Sequence, residues 1–474
     1  MKTSFKKIFT LLLLAVAFWG CEDFLDIQPQ QSIDSEYALT TPENVKATLV
    51  GAYLEARSRW TFGSQFNEYS ELLASSGHLQ HVGSHAQPKE MLDKSIAVNN
   101  SYVESSWIAS YRIINTVNHV LKASDILEGP ERDRVRGEAL FLRGMAYFEL
   151  TRLWGLPYEP GQQNDQPGVP LILTPTNSPS EAVPVARNSV EECYNQVITD
   201  LVMARDLLPE INGVFATTYA ASAVLSRVYL QMSRFSEAAE EANRVIESGR
   251  FSLHSQPMAA HNNSQNTTED IFALQNSLTS NTIWLTERYA SLNGMGRGDY
   301  QFTAAFLGLF HDDDLRGKLQ DDTKPNYVQE DINRMYYIGV GAIRNGGINT
   351  YKWANYYTVI PLVRLSEMYL TRAEANFELQ QSGLPIAGNV EPVADVNTVR
   401  ARASAPLFSD NIALDDIRLE RYLELCWEGH RLHDLKRWQM NIGNLPYNAG
   451  NLILPIPISE LETNPLLVQN PHYQ

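Results

Sequence analysis

The sequence predicts an all-α protein in which a tetratricopeptide-like scaffold of paired helices carries a large, irregular, loop-rich subdomain. Two observations predict this fold. Apolar residues recur at helical spacing in several long segments, whereas residues 251–350 break that period and include glycine-rich runs such as 293–298. Residues 216–232 and 236–248 form a predicted helix pair rich in alanine, and small residues let paired helices approach closely, as in tetratricopeptide repeats.

The first helices follow from start signals and from the apolar period. Thr41-Pro42-Glu43 indicates a helix start, because threonine is a good N-cap and proline is favoured at the first helical position. Further helices are predicted around 107–121, from 129 to 154, and over about 190–208. Residues 60–100 mix glycine, serine, histidine and aromatic residues without a period, which predicts a long surface excursion.

The remaining segments alternate between loops and helices. Residues 156–188 are rich in proline and aperiodic, which predicts a loop that wraps around the scaffold. Helical spacing resumes over 361–379 and again over 414–440, while the tail at 452–457 is predicted to be extended.

The N-terminus has the layout of a secretory signal over residues 1–20, with lysines among the first seven residues and then a short apolar run. A permanent membrane span needs about 20 apolar residues, and this run is shorter. Gly20-Cys21 resembles the end of a bacterial lipobox. We therefore expect cleavage before Cys21, acylation of its thiol with chains such as palmitate, and a lipidated tether over 21–40. The alternative is an ordinary secretory signal that contains a cysteine.

Composition limits the possible partners. The chain has 474 residues and a formal net charge of -17 at pH 7. Nucleic-acid binding requires clustered basic charge, so no nucleic-acid partner is expected. Cys193 and Cys426 lie in apolar helical surroundings and are interpreted as small buried hydrophobic residues rather than as a disulfide.

A series of motifs recurs in one order along almost the whole chain. Examples are Leu153-Trp154-Gly155-Leu156-Pro157 and Asp434-Leu435-Lys436-Arg437-Trp438. The other motifs lie at 23–26, 107–115, 138–148, 168–171, 360–370, 373–375, 420–431, 454–457 and 460–471. Together they resemble the SusD/RagB family, surface lipoproteins that capture nutrients for a TonB-dependent outer-membrane transporter.

The resemblance implies a helical scaffold whose irregular subdomain presents the ligand face. It also implies a position like a lid over a SusC-like transporter barrel, binding of glycans or sometimes of peptides, and neither catalysis nor a cofactor. The expected regions after the signal and the tether are a tetratricopeptide-like SusD region at 41–250, a ligand-face insertion at 251–350 and a RagB/SusD region at 351–474.

Glu424 and Glu428 invite a second interpretation, because paired carboxylates on facing surfaces are the machinery of glycoside hydrolases. Both are predicted one turn apart on one helix, with Arg421 and Arg431 as neighbours. Carboxylates with guanidinium partners stay ionised, so a structural ion-pair network is favoured over catalysis. The sequence also lacks a phosphate-binding glycine loop and a Gly-x-Ser-x-Gly elbow.

Two groups of residues have metal-binding chemistry, although no metal is expected. His78, His81 and His85 could share zinc on a helix, but the glycines around them favour a solvated loop. The runs 312–314 and 321–322 supply aspartates without the alternating spacing of a calcium loop and lie beside Arg316 and Lys318, which favours a solvated face or a helix cap.

The candidate ligand contacts are aromatic side chains outside the helical repeats, with planar hydrogen-bond donors nearby. They are Trp60, Phe66 and Asn67 in one loop, and Trp284, Arg288, Tyr289, Arg297 and Tyr300 in another. The alternative for each aromatic is a loop side chain packed onto the scaffold. Four tryptophans lie on scaffold motifs and are expected in the core: Trp107, Trp154, Trp427 and Trp438. For Trp353 the sequence does not decide between the core and the ligand face.

The sequence thus predicts a lipid-anchored outer-membrane protein that faces the exterior, captures oligosaccharides and delivers them to a SusC-like transporter. Three alternatives remain at this point: a peptide-capture protein of the RagB type, a secreted glycan-degrading enzyme, and a scaffold that binds a protein partner in its tetratricopeptide groove.

Overall fold

The computed structural model describes residues 39–276, 283–320 and 334–474. Cys21, Asp321 and Asp322 lie outside the described residues. Helices account for about 51% of the structure, which confirms the predicted helical class. The helices are α1 (Pro42–Ala56), α2 (Gln65–Ala74), α3 (Ala86–Leu92), α4 (Ser101–Ala123), α5 (Gly129–Trp154), α6 (Val190–Leu207), α7 (Thr218–Gln231), α8 (Phe235–Glu247), α9 (Trp284–Tyr289), α10 (Ala304–Leu307), α11 (Leu365–Gln381), α12 (Pro392–Arg402), α13 (Leu414–Leu425), α14 (Arg431–Arg437) and α15 (Ile458–Thr463).

Helix starts are specified locally by side-chain caps. Thr41 accepts a hydrogen bond from the Asn44 backbone N–H at 3.3 Å and Pro42 occupies the first turn of α1, as the sequence predicts. At α6, Ser189 and Glu192 form a reciprocal capping box. These contacts satisfy backbone donors that have no partner within the helix.

The long helices pack side by side as an array. α5 lies between α4 and α6, α7 packs against α6 and α8, and α8 packs against α11. Glycines on α5 allow the close approach of α6, since a Cβ at Gly144 would lie only 2.9 Å from the Leu201 Cγ. The array confirms the predicted scaffold of paired helices.

Short strands form two antiparallel sheets that the sequence did not predict. The larger sheet has the order β1-β3-β5-β4, and the smaller pairs β2 with β6. In the larger sheet Leu79 pairs with Phe302 and His81 pairs with Tyr300. The strands are β1 (Leu79–His81), β2 (Asp270–Leu274), β3 (Tyr300–Phe302), β4 (Tyr336–Val340), β5 (Asn345–Thr350) and β6 (Ile360–Arg364).

Several predicted boundaries are wrong for identifiable reasons. The predicted surface excursion at 60–100 contains α2, in which nine of ten residues are buried, Glu68 and Glu71 among them, so its polar side chains do not mark a solvent-exposed segment. Residues 361–364 belong to β6, and the helix begins at Leu365. The predicted helix at 414–440 is interrupted between α13 and α14, where Trp427 and Gly429 have positive φ.

The core contains the four tryptophans assigned to it. Trp107, Trp154 and Trp427 are at most 2% exposed, Trp438 is also buried, and Trp353 joins them at 3%. Cys193 and Cys426 are buried and free, as expected.

A buried ion-pair network joins the irregular segments to the helices. Glu424 of α13 accepts from Arg364 of β6 at 3.2 Å and from Arg316, in the loop after α10, at 3.1 Å. Arg402 at the end of α12 also donates to it. Glu269, just before β2, pairs with Arg364 and with Arg402, each at 2.6 Å. The network therefore connects segments that are far apart in sequence.

The same network fixes the turn after α13. Glu428 lies in that turn and pairs with Lys352 at 2.6 Å and with Arg364 at 2.8 Å. Burial alone would raise the pKa of Glu424, but the guanidinium groups of Arg402, Arg364 and Arg316 hold it well below the usual range. Both carboxylates are therefore ionised, and the positive side chains around them balance their charges.

The ion pairs predicted for the two glutamates are confirmed, but their predicted partners are wrong. Arg421 pairs instead with Asp434 at 3.0 Å, and the Arg431 guanidinium lies 3.8 Å from the centroid of the Tyr422 ring. The helix ends at Leu425, so Glu428 leaves the helix face on which the predicted pairing depended.

Replacing Glu424 by Gln should lower the free energy of unfolding by about 3–5 kcal/mol, because it leaves buried guanidinium groups without their counter-charge. Chemical denaturation of the chain from residue 22 onwards would measure the change. Asp415→Asn on the same helix is the matched control, since the Asp415 side chain is 88% exposed and should change stability by less than about 0.5 kcal/mol. Equal stability of the two variants would contradict a structural role for Glu424.

Candidate functional site

An open cavity of about 320 Å³ lies between the turn that follows α1 and the start of α9. Trp60 and Trp284 come from these two segments and are both half-buried. The lining of the cavity combines apolar surface with guanidinium groups and an amide. The described residues that line it are Leu54, Arg57, Ser58, Arg59, Trp60, Gly63, Asn276, Ile283, Trp284 and Ile360. Large aromatic surface beside a few planar donors is the composition of a small-ligand site.

The turn at 57–64 is compact and held by its own backbone. The Gly63 N–H donates to the Ser58 carbonyl oxygen at 3.1 Å, and the Thr61 hydroxyl donates to the Ala56 carbonyl oxygen at 2.9 Å. Gly63 has no alternative here, because a Cβ at this position would overlap the carbonyl oxygens of Arg57 and Ser58. This turn directs Arg59 and Trp60 into the cavity.

Arg59 links the two tryptophans. Its Cζ atom lies 3.8 Å from the centroid of the Trp60 ring and 4.3 Å from that of Trp284. Cation–π contacts of this length hold both indoles against one guanidinium and so fix their spacing.

A buried layer supports the cavity from beneath. The Trp60 ring meets Tyr102 edge-on at 5.5 Å, and the Tyr102 hydroxyl accepts from Arg288 at 2.9 Å. Arg288 in turn pairs with Asp299 at 2.7 Å. Tyr300 donates to Glu68, and burial followed by the charge of Glu68 raises the pKa of Tyr300 well above its usual value.

The structure brings Trp60 and Trp284 together and places the other sequence candidates elsewhere. Arg288, Tyr289 and Tyr300 are at most 2% exposed, so they support the cavity instead of lining it. Phe66 is buried, and the centroid of its ring lies 5.1 Å from that of the Phe62 ring. Burial removes these four residues from the set that a ligand reaches.

The two remaining candidates are engaged in structural hydrogen bonds. The Asn67 amide donates to the Trp427 carbonyl oxygen at 2.8 Å and thereby holds the turn after α13. Arg297 contacts Asp299 at 3.1 Å and donates to Ser84 at 3.3 Å, outside the cavity lining.

Arg57, Arg59, Leu54 and Ile360 line the cavity and were missed from the sequence. Arg59 directly precedes Trp60, so the search for donors beside aromatic residues could have found it. Leu54 gives a weaker signal as an exposed leucine on α1, 53% accessible, and Ile360 gives none, because it lies in an unpredicted strand.

A second cavity, beside Glu428, is too small for a sugar. Its volume is about 50 Å³, whereas ligand sites span roughly 300–1,000 Å³. Nearby, burial raises the pKa of Glu71 to about 7, but this carboxylate accepts from the Gly429 N–H at 2.9 Å inside the protein. Glu71 and Glu428 therefore do not form a hydrolytic pair around an open cleft.

Of the candidate histidines and aspartates, His78 and Asp314 have structural partners. Among residues 39–276, 283–320 and 334–474, no cluster of three or more His, Cys, Asp or Glu side chains is arranged to hold a metal ion. His78 bonds the Tyr422 hydroxyl at 3.0 Å, and Asp314 pairs with Arg316 at 2.7 Å. The expectation of a solvated loop is wrong for His81, which lies in β1.

Within the described part of the chain, every helix is either too short or too polar to span a bilayer.

Two family models match the chain. Residues 23–230 match a model described as "Starch-binding associating with outer membrane", and residues 334–452 match one described as "SusD family". Together these matches cover more than half of the sequence.

Known proteins show the same similarity, two of the three named here along nearly the full length. The SusD-like protein P2 of Formosa agariphila is 26% identical over 532 aligned positions that cover 99% of each chain. The starch-binding protein SusD of Bacteroides thetaiotaomicron is 29% identical, over 30% of this chain and 31% of its own. The crystal structure of a SusD superfamily protein from the same organism superposes with a TM-score of 0.77 at 23% identity, covering 91% of this chain and all of that one.

Proposed function

Because this chain belongs to the SusD/RagB family, we propose that it is a surface lipoprotein that captures oligosaccharides and delivers them to a TonB-dependent SusC-like outer-membrane transporter. The observation that carries the proposal is the cavity walled by Trp60 and Trp284. A pyranose ring in its chair form offers C–H groups to an aromatic face and hydroxyl groups to planar donors, and the cavity supplies both kinds of partner.

The size of the cavity supports capture of a saccharide. Its 320 Å³ lies within the range of sites for small ligands, and its open mouth admits a chain that continues beyond the bound unit. The matched family description and the name of the Bacteroides thetaiotaomicron relative both refer to starch binding, which agrees with a glycan as ligand.

The burial and pairing of Glu424 and Glu428 agree with a protein that binds its ligand without catalysis. A retaining or inverting hydrolase needs a protonated acid and a second carboxylate across a substrate cleft. Here Glu424 and Glu428 are buried, ionised and paired with arginine or lysine, and no acidic residue lines the large cavity in the described structure. We therefore infer a capture protein rather than a secreted glycan-degrading enzyme.

Trp60→Ala and Trp284→Ala should each weaken oligosaccharide binding by at least about tenfold while the fold is retained, because each removes one aromatic wall of the cavity. Isothermal titration with panels of oligosaccharides and peptides would measure the affinities, and thermal unfolding would verify folding.

Tyr447→Ala is the matched control. Its half-buried ring lies beside Glu159 and outside the cavity, and its removal should leave binding unchanged. Saturable binding of peptides but of no oligosaccharide would replace the glycan role by peptide capture, and continuous heat after each injection would indicate turnover.

Cys21→Ser should abolish acylation of the chain, because the lipobox-like end at Gly20-Cys21 places the modified thiol there. Growth with radioactive palmitate, followed by membrane fractionation, would show label and membrane association in the unaltered protein and neither in the variant. Label retained on the serine variant would refute Cys21 as the anchor.

Gentle solubilisation of the outer membrane should recover the tagged chain in a stable complex with a TonB-dependent transporter, since delivery requires contact between the two proteins. Size-exclusion chromatography with mass spectrometry would identify the complex. Recovery of the chain only as a monomer, at all detergent concentrations, would count against transfer through a bound transporter.

A further inference from the structure

The large cavity carries positive charge on an acidic protein. Its described lining includes the guanidinium groups of Arg57 and Arg59 and contains no aspartate or glutamate. The whole chain has a net charge of -17, so the lining of the cavity is positively charged although the protein as a whole is negatively charged.

Arg59 differs from Arg288 and Arg364 in its partners. Arg288 pairs with Asp299, and Arg364 pairs with Glu269 and Glu428. At the cavity itself, Arg57 donates to the Gln275 carbonyl oxygen at 2.9 Å. For Arg59 the contacts within the described residues are the two indole rings, and no carboxylate or carbonyl oxygen accepts from its guanidinium.

The stacked geometry leaves the hydrogen-bonding edge of Arg59 available. Cation–π contacts use the flat faces of the guanidinium, whereas its five N–H donors lie in the plane and point outward. The edge of such a group matches the two oxygens of a carboxylate or a sulfate, which it binds bidentately.

The carboxylate that acts electrostatically on Arg59 is already occupied. Glu68 accepts hydrogen bonds from Ser64, Tyr300 and Gln65 and lies 3.8 Å from Arg288. Burial lowers the pKa of Arg59, and Glu68 only partly opposes this effect. The guanidinium remains charged at neutral pH and is incompletely compensated inside the protein.

Resting on the proposed function, we infer that the captured saccharide is anionic and that Arg59, beside Trp60 and Trp284, binds its charged group, a uronate carboxylate or a sulfate ester, at the outward-pointing edge of the guanidinium. The indoles contact the sugar ring, and Arg59 supplies the selectivity for charge. Arg57 adds a second positive charge at the wall of the cavity.

The test uses matched pairs of oligosaccharides that differ only in charge. Uronate oligosaccharides are compared with their carboxyl-reduced forms, and sulfated oligosaccharides with their desulfated forms, by isothermal titration against the chain from residue 22. One charged form should bind about ten to a hundred times more tightly than its neutral counterpart, as expected for hydrogen bonds between charged groups. The preferred pair identifies the group as carboxylate or sulfate, and the preference should decrease with added salt.

Arg59→Gln should abolish this preference, because it should weaken binding of the charged form far more than binding of its neutral counterpart. Arg250→Gln removes one positive charge from an exposed pair with Glu210, outside the cavity, and should retain the preference.

The outcomes separate the inference from the proposed function. Neutral forms that bind as tightly as charged forms, or a preference that survives in Arg59→Gln, overturn the anionic ligand but leave saccharide capture intact. Absence of binding by every oligosaccharide, charged or neutral, overturns both.

Discussion

Arg364 and Glu424 meet inside the protein, and the position of the ligand face depends on the ion pairs around them. Arg364 ends β6, Glu424 lies on α13, and Arg402 and Glu269 complete the contact from α12 and from the segment before β2. None of these groups could be buried alone, because an unpaired charge costs several kcal/mol inside a protein. Once assembled, the network fixes β6, whose Ile360 lines the cavity, relative to the helical array.

Charge compensation also separates scaffold from site. The buried carboxylates near the cavity are committed to structural partners: Asp299 to Arg288, and Glu68 to Tyr300 and Ser64. Arg59 has instead two aromatic rings as neighbours and a free hydrogen-bonding edge. The charged groups that stabilise the fold are thus already paired with opposite charges or hydrogen-bond donors, whereas Arg59, the group available to a ligand, is not.

The sequence allowed prediction wherever the relevant contacts are local. Thr41 and Pro42 mark the start of α1, and apolar residues recur at helical spacing along α4 and α5. α2 was missed because its polar residues, Glu68 and Glu71 among them, are buried, whereas polar residues in the sequence suggested an exposed segment. The partners of Glu424 were missed because Arg316, Arg364 and Arg402 reach it from other segments, and local spacing suggested Arg421.

The candidate site was predictable in the same limited sense. Trp60 and Trp284 were identified as aromatic residues outside the repeats, yet Tyr289 and Tyr300 satisfied the same rule and are buried. Burial of a loop side chain is decided by tertiary contacts that spacing does not reveal. A crystal structure of the chain with its tightest-binding oligosaccharide tests the central claim most directly. We expect a sugar ring in contact with Trp60 and Trp284 and an anionic oxygen within about 3 Å of the Arg59 guanidinium. A sugar bound in the groove of the helical array, with the cavity empty, would contradict the account.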